Sequence, residues 1–422
     1  MQTAVLGILG FIFVMGLAVL VHELGHFMAA RKFGVRCHEF AIGMGPILWK
    51  KRKGETLYTI RAIPIGGFVS MGMNESERDL IKEGSEIGLT LDPDGHVVKI
   101  HVQPEEGQIM AVLICNTIDV SNDLEIAVEV AGERKIYPVS RDAWYIDSKA
   151  DHEKQVVPCD RMLESKPKLQ RFTIMAAGAV MNFVLAYVLA LIIGAIAGEV
   201  IGTSSELAIV GSDGPAYVAG LQVGDRILEI DGVIITDGTE LRDVIQEVGA
   251  NEVTIVFERD GLDHETTITP NFDEQRDIYL LDIDIVAYTE RSFAGTFRSA
   301  NRQWRNGAMM IFDTLRMLGT GEVGANQLAG FVGIAQMTGQ VASLGILPLL
   351  SFASLININL GIFNLLPFPA LDGGHITFII IEAIIGKPVS PKIQHGVAIV
   401  GIILLLGLMA YVTFHDVLRI FG

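Results

Sequence analysis

Charge is what long parts of this chain lack. Thr3 to Val21 carries no charged residue, nineteen positions in a row, and residues 323–371 carry none either. A run of about 20 apolar residues is the length of a membrane span. Half of the 422 residues are hydrophobic and mean hydropathy is +0.42, which fits several spans with soluble parts between them. Cysteine is scarce too. Cys37, Cys115 and Cys159 are odd in number and match no zinc-ribbon spacing, which favours reduced bystander thiols over a disulfide. Basic residues are not in excess. Net charge is −17; residues 198–346 hold 23 Asp and Glu against 9 Lys and Arg, which gives no hint of nucleic-acid binding, and none is expected. The first apolar segment has no small-x-small cleavage pattern behind it and reads as retained rather than as a signal peptide.

Four spans are expected, at about 3–30, 172–198, 347–384 and 396–415. Basic residues flank them unevenly. Arg31, Lys32, Arg36 and Lys50–Lys53 follow the first span, and Arg161, Lys166, Lys168 and Arg171 precede the second. After the second there is no Lys or Arg until Arg226, while Lys387 and Lys392 lie between the third and fourth. By the positive-inside rule the 31–171 and 385–395 segments are cytoplasmic, and 199–346 and both termini are outside.

The end of the first span reads His22-Glu23-Leu24-Gly25-His26. In H-E-x-x-H on a helix, positions i and i+4 share a face, so both histidines can hold one metal ion while the glutamate takes a proton from water. Ionisable residues at membrane depth are costly and mark function. A catalytic zinc takes three protein ligands and keeps one open position. Apart from Glu23, two carboxylates lie in apolar surroundings, Asp372 and Glu382. Asp372 follows Asn364-Leu365-Leu366-Pro367-Phe368-Pro369-Ala370-Leu371 and precedes Gly373-Gly374-His375. The prolines break the helix, and a broken helix at membrane depth lines a cavity. Asp372 is therefore expected as third ligand, and Glu382 is expected to snorkel to the cytoplasmic edge.

Between the spans the chain alternates in texture. Residues 55–73 read as a β-hairpin around Pro64-Ile65-Gly66-Gly67: either a small cytoplasmic hairpin, or one that dips toward the metal and offers an edge to an extended substrate. Residues 75–171 read as a soluble insert, with strands at His96–His101, Met110–Cys115 and Leu124–Val130 and no assigned chemistry. Span two contains Gly178 and Asn182; the asparagine must face the bundle, as structural glue or beside the site. Ala219-Gly220-Leu221-Gln222-Val223-Gly224-Asp225-Arg226-Ile227-Leu228-Glu229-Ile230-Asp231-Gly232 resembles a PDZ domain of the bacterial protease type, covering 199–285. Such a domain either binds extended peptides or acts as a size filter. Residues 286–322 read as an amphipathic segment at the membrane interface.

Taken together, H-E-x-x-H in the first span, the Gly66-Gly67-Phe68 hairpin, Asn182, the PDZ-like run and N-x-x-P-x-P-x-L-D-G resemble the site-2 protease family of intramembrane zinc metalloproteases. The likeness covers nearly the whole chain. It is to the regulator-of-sigma-E-protease group, in the single-PDZ form of Gram-positive members. Where that group often has G-P-x-x-I, this chain has Gly330-Phe331-Val332-Gly333-Ile334.

The resemblance implies a polytopic α-helical membrane protein with about four transmembrane helices, a membrane-associated hairpin, a cytoplasmic β-rich insert and one extracytoplasmic PDZ domain. It implies one Zn2+ on His22, His26 and Asp372, with Glu23 as general base. Asn364, Pro367, Gly66 and Gly67 would handle substrate backbone, and His375 and Asn182 would support the site from behind. Substrates would be single-span proteins already shortened outside, such as anti-sigma factors, and remnant signal peptides, cut in the bacterial cell membrane. The rival readings are a non-catalytic scaffold with a structural zinc and a metal transporter; an open ligand position opposes the first, and the lack of an inverted repeat the second.

Overall fold

A computed structural model describes residues 2–71, 81, 84–102, 113–130, 133–147, 152–273, 278–324 and 327–421. The chain forms two compact units, residues 1–189 with 304–422, and residues 190–303. Residues 72–73 of the expected hairpin and 110–112 of an expected strand lie outside the described residues.

The first unit is built on helices. α1 (Gln2–Lys32) is followed by strands β1 (Cys37–Lys53) and β2 (Thr56–Met71), by six shorter strands, and by α2 (Lys168–Ala197). Four helices are long and apolar enough to cross a membrane: Gly7–Lys32, Lys168–Ala197, Ile346–Leu365 and Pro391–Arg419. Their apolarity runs all round, as expected for helices that meet lipid on one side and neighbours on the other.

β1 and β2 make more than the expected hairpin. Glu39, Phe40, Ala41 and Ile42 each pair twice, with 57–60 on one side and 67–70 on the other. Both strands double back, β1 at Gly43 and Gly45 (φ +84° and +82°) and β2 at Gly66 (φ +83°). The result is a four-ribbon sheet in the order 46–53, 56–63, 37–42, 67–71. Left-handed backbone of this kind is open to glycine at no steric cost. The outermost ribbon, 67–71, lies beside α1.

The insert folds as a barrel. β3 (Glu86–Leu91), β4 (Val97–Val102), β5 (Leu113–Asp119), β6 (Glu125–Val130), β7 (Glu133–Asp147) and β8 (His152–Gln155) run in the order β4-β3-β5-β6-β7-β8, and a parallel β4–β7 pairing closes the ring. Ile87, Val97, Ile100, Cys115, Ile126, Val128 and Val156 fill it, each fully buried. Closure removes the edges that an isolated sheet would expose. The barrel is bolted to the sheet beneath it by Arg36, which is fully buried. Its guanidinium donates to Val156 O and to Asp142 Oδ1 (2.6 Å), and Glu55 at the sheet's turn lies 3.5 Å away.

The second unit contains β9 (Glu199–Val210), α3 (Pro215–Val218), β10 (Arg226–Ile230), β11 (Val233–Ile234), α4 (Gly238–Val248), β12 (Val253–Arg259), β13 (Leu262–Ile268), β14 (Asn271–Asp273), β15 (Ile278–Leu280) and β16 (Ile283–Glu290). Its main sheet runs β13-β12-β10-β9-β16. Asp237 caps α4, accepting from the N–H groups of Thr239 and Glu240. The buried Asp225 is held by a two-pronged bond from Arg259, both arms 2.7 Å.

The chain then continues through α5 (Phe293–Thr320), α6 (Phe331–Ser343), α7 (Ile346–Leu365), α8 (Asp372–Ile385) and α9 (Pro391–Phe421). The region expected as one broken span is thus two helices, α7 and α8, parted at Pro367 and Pro369. Gly373 and Gly374 allow α8 to begin there: a Cβ at Gly374 would stand 2.7 Å from Phe368 O. Glu382 does not snorkel to water. It is buried and pairs with Arg171 of α2 at 2.8 Å, which ties α8 to α2.

Candidate metal centre

Three donor atoms meet where α1, α2 and α8 come together. His22 Nε2 and His26 Nε2 are 3.1 Å apart; Asp372 Oδ2 is 3.1 Å from the first and 3.2 Å from the second. They form a nearly equilateral triangle. Tetrahedral zinc with bonds of about 2.0–2.1 Å sets its ligand atoms about 3.3 Å apart, so the donor set fits such an ion. Among the described residues this is the group of His, Cys, Asp and Glu side chains able to share a metal.

The hydrogen bonds behind the triangle point the same way. His26 Nδ1 lies 2.8 Å from Ile174 O, a carbonyl that can only accept. Nδ1 must therefore carry the proton, which leaves a lone pair on Nε2. Asp372 Oδ2 consequently has no hydrogen-bond donor despite its two close imidazole neighbours. Three electron-rich atoms at this spacing need a cation between them. His22 Nδ1 meets the side-chain amide of Asn182 at 3.2 Å, while Asn182 Oδ1, fully buried, has no partner. The two ends of an amide exchange by a half-turn. With Oδ1 toward His22 Nδ1–H, the amide oxygen accepts from the imidazole and the His22 Nε2 lone pair faces the triangle.

Gly178 lies one turn before Asn182 on the same face of α2. A Cβ there would collide with both imidazoles, standing 2.7 Å from His22 Nε2. α2 can approach the histidines only because this position has no side chain. From sequence alone Gly178 reads as a small residue that lets helices pack closely; its spacing of four from Asn182 is the signal that sets it apart. Gly25, between the histidines, is equally tight: a Cβ there would stand 2.8 Å from the Met181 side chain of α2.

Glu23 is half-buried beside the triangle, with His26, His22 and Asp372 as its neighbours and the backbone of Val69 as its hydrogen-bond partner. Gly67 abuts it: a Cβ there would lie 3.2 Å from Glu23 Cγ. The sheet's outermost ribbon therefore passes directly beside the would-be base. Gly66, half-buried, forms the turn that leads into it. Asn364 is half-buried at the end of α7, and Pro367 is exposed in the α7–α8 link. His375 is exposed on the first turn of α8 and does not join the cluster. Ala370, two residues before Asp372, has φ +83°, a left-handed conformation in a residue other than glycine. Strain of this kind costs about 1–3 kcal/mol and persists where the surroundings over-determine the backbone.

The chain is 38% identical over 423 aligned residues to the zinc metalloprotease RasP of Shouchella clausii (strain KSM-K16), covering 98% of this chain and 99% of that one. It is 35% identical over 422 residues to the regulator of sigma-W protease RasP of Bacillus subtilis (strain 168), with the same coverage. Among solved structures, the PDZ domain of an SdrC-like protein from Listeria monocytogenes is 24% identical over 20% of this chain and 87% of that chain, with a TM-score of 0.18. The model of peptidase family M50 matches residues 10–408, and with relatives this similar along their whole length, the chain belongs to peptidase family M50, the site-2 protease family.

Proposed function

We propose that this metalloprotease hydrolyses peptide bonds inside the transmembrane helices of single-span substrates, with zinc on His22, His26 and Asp372 and Glu23 as general base. The observation that carries the reading is the partly buried donor triangle at the end of a membrane-length helix, with a carboxylate beside it and no fourth protein ligand among the described residues. When bound, zinc supplies Lewis acidity, lowering the pKa of water toward neutrality and polarising a carbonyl. Glu23 accepts the proton of the attacking water and delivers it to the leaving amine. Asn182 and Ile174 O hold the two imidazoles in the tautomer that leaves Nε2 free.

A helical substrate shields its own carbonyls, so it must unwind before cleavage. The 67–71 ribbon supports this step: it lies next to Glu23, and an extended segment can pair with an edge of this kind. Gly66 and Gly67 keep the approach open, and Asn364 and Pro367, at the end of α7 and in the link that leads to Asp372, are read as holding substrate backbone. His375 is left without a role at the metal.

The distribution of Lys and Arg supports a metal site near the cytoplasmic side, with the barrel cytoplasmic and residues 199–290 outside as a PDZ domain. Substrates of this topology are anti-sigma factors, in line with the sigma-W regulation for which the Bacillus subtilis relative is named, and remnant signal peptides. The test is cleavage in detergent of a panel of single-span helices without outer domains, with products mapped by mass spectrometry. Wild type should cut within the span and Glu23→Gln should not. If neither cuts while both keep one zinc, the scaffold reading replaces this one.

A further inference from the structure

Residues 199–290 carry 21 Asp and Glu against four Arg and no Lys, a balance of −17 that equals the net charge of the whole chain. Within this region a groove of about 520 Å3 runs between α4 and β16. Its apolar lining comes from Leu241 and Ile245 on the helix and from Ile283 and Ile285 on the strand. Its charged lining is Arg242 against Asp282 and Asp284, all three exposed.

β16 is bonded to β9 along one edge, and among the described residues no strand pairs with the other. An unpaired strand edge beside a helix accepts an extended peptide, whose main chain supplies the hydrogen bonds and whose alternate side chains enter the groove. Ile283 and Ile285 are two apart, so they share one face of β16, and Leu241 and Ile245 are four apart, so they share one face of α4. The apolar slot therefore repeats at strand spacing. Asp284, between the two isoleucines, places negative charge where an intervening side chain of an added strand would stand, and Asp282, just before β16 with φ +56°, adds its charge to the lining beside Gly214.

We propose that the groove between α4 and β16 binds an extended cationic peptide segment, with apolar residues in the slot at alternate positions and Lys or Arg between them. The same field disfavours acidic segments, anionic lipid headgroups and the free carboxylate of a chain end, so the occupant is an internal segment. This rests on reading 199–290 as a substrate-facing PDZ domain, and it gives that domain a selection rule: juxtamembrane segments that alternate apolar and basic residues are retained, and acidic ones are not.

Binding can be read without cleavage. The full chain carrying Glu23→Gln, in non-ionic detergent, is titrated against fluorescein-labelled eight-residue peptides followed by anisotropy. Amide-capped alternating Val–Lys is compared with alternating Val–Glu, with Val–Lys bearing a free carboxylate, and with a Val–Lys block of the same composition. The alternating capped cation should bind at least about tenfold tighter than the acidic peptide and severalfold tighter than the other two. Raising salt from about 0.05 M to about 0.5 M should weaken it severalfold, because the charges are exposed and screened. Asp282→Asn/Asp284→Asn, a shape-conserving change at exposed positions, should remove most of the preference over Val–Glu. Equal binding of the acidic peptide, an unchanged preference in that variant, or no binding of any peptide would overturn the proposal. Because Glu23→Gln is used throughout, a failure of the cleavage reading leaves this result standing, and the reverse holds as well.

Discussion

The sharpest test of the metal centre is a single methyl group at Gly178. An alanine Cβ at this position would stand 2.6 Å from His22 Cε1 and 2.7 Å from His22 Nε2, with His26 Nε2 also in its way. Ordinary van der Waals contact begins at 3.4 Å, so at least 0.8 Å (3.4 less 2.6) must be found by moving the imidazoles or the helix. Metal sites tolerate about 0.2 Å in ligand distance. Both ligands cannot move that far and keep the triangle. Gly178→Ala should therefore lower zinc affinity by more than the roughly 10–100-fold typical of losing a supporting hydrogen bond. The added methyl should also cost about 1–3 kcal/mol of stability through overpacking. The control is Gly16→Ala on α1, where a Cβ meets nothing within 4 Å. Metal-free protein would be titrated with zinc against a chelator of known affinity, with bound metal counted by mass spectrometry. If Gly178→Ala binds zinc as tightly as Gly16→Ala, the close approach of α2 to the two histidines is not what shapes the site.

Other expectations follow from the same geometry. Glu23→Gln should keep its zinc and lose about 10²–10⁴-fold in cleavage rate, the range for a general base; loss of zinc in that variant would mark Glu23 as a ligand instead. Asn182→Ala should weaken zinc by about 10–100-fold with the fold intact, read by the same chelator competition. Arg36→Met should destabilise the protein by about 1–3 kcal/mol, because the buried Val156 O loses its donor while Glu55 keeps Arg161, and limited proteolysis of the barrel should report it. Burial pushes the Cys37 thiol up to about 12. It stays protonated at neutral pH, and the stability this contributes is present below the unfolded thiol pKa and is lost as pH rises from there toward 12. A maleimide at pH 7 should thus label the exposed Cys159 and spare the buried Cys37 and Cys115, as mass mapping would tell. Ala370→Gly should raise stability by about 1 kcal/mol by relieving its left-handed backbone, measured by thermal unfolding.

Much of the chemistry could be read directly along the chain. His22 and His26 are one helical turn apart, so their shared face follows from helix geometry alone. Asp372 could be found by elimination, because a carboxylate beside two prolines and two glycines in an uncharged stretch has few other reasons to be there. The four apolar helices are encoded by composition, a property that tertiary contacts do not alter. What the linear pattern could not decide was who stands behind these groups. Gly178 and Asn182 look like any small or polar residue in a span until α2 is placed against α1. His375 stands three residues after a candidate ligand, a spacing that shares a helix face, yet the fold leaves it exposed and outside the cluster.

The sheet beside the site was only half visible. Residues 55–73 have the alternation of a hairpin, but 37–53, with four basic residues and two glycines, do not announce a strand that pairs on both sides. That double pairing needs left-handed turns at Gly43, Gly45 and Gly66, and a turn's direction depends on what the flanking ribbons pack against. The bolt formed by Arg36 was invisible for the same reason. Arg36 reads as one of several basic residues after a span, and only the tertiary fold, by bringing Val156, Asp142 and Glu55 to it from far along the chain, turns a topology signal into a buried joint. By itself, then, the sequence determined the candidate metal ligands, the candidate base and the long apolar helices, since these rest on local spacing and composition. The tertiary structure alone decided which neighbours hold the imidazoles, which ribbon lies beside Glu23 and which charges are buried, since these depend on contacts between distant segments.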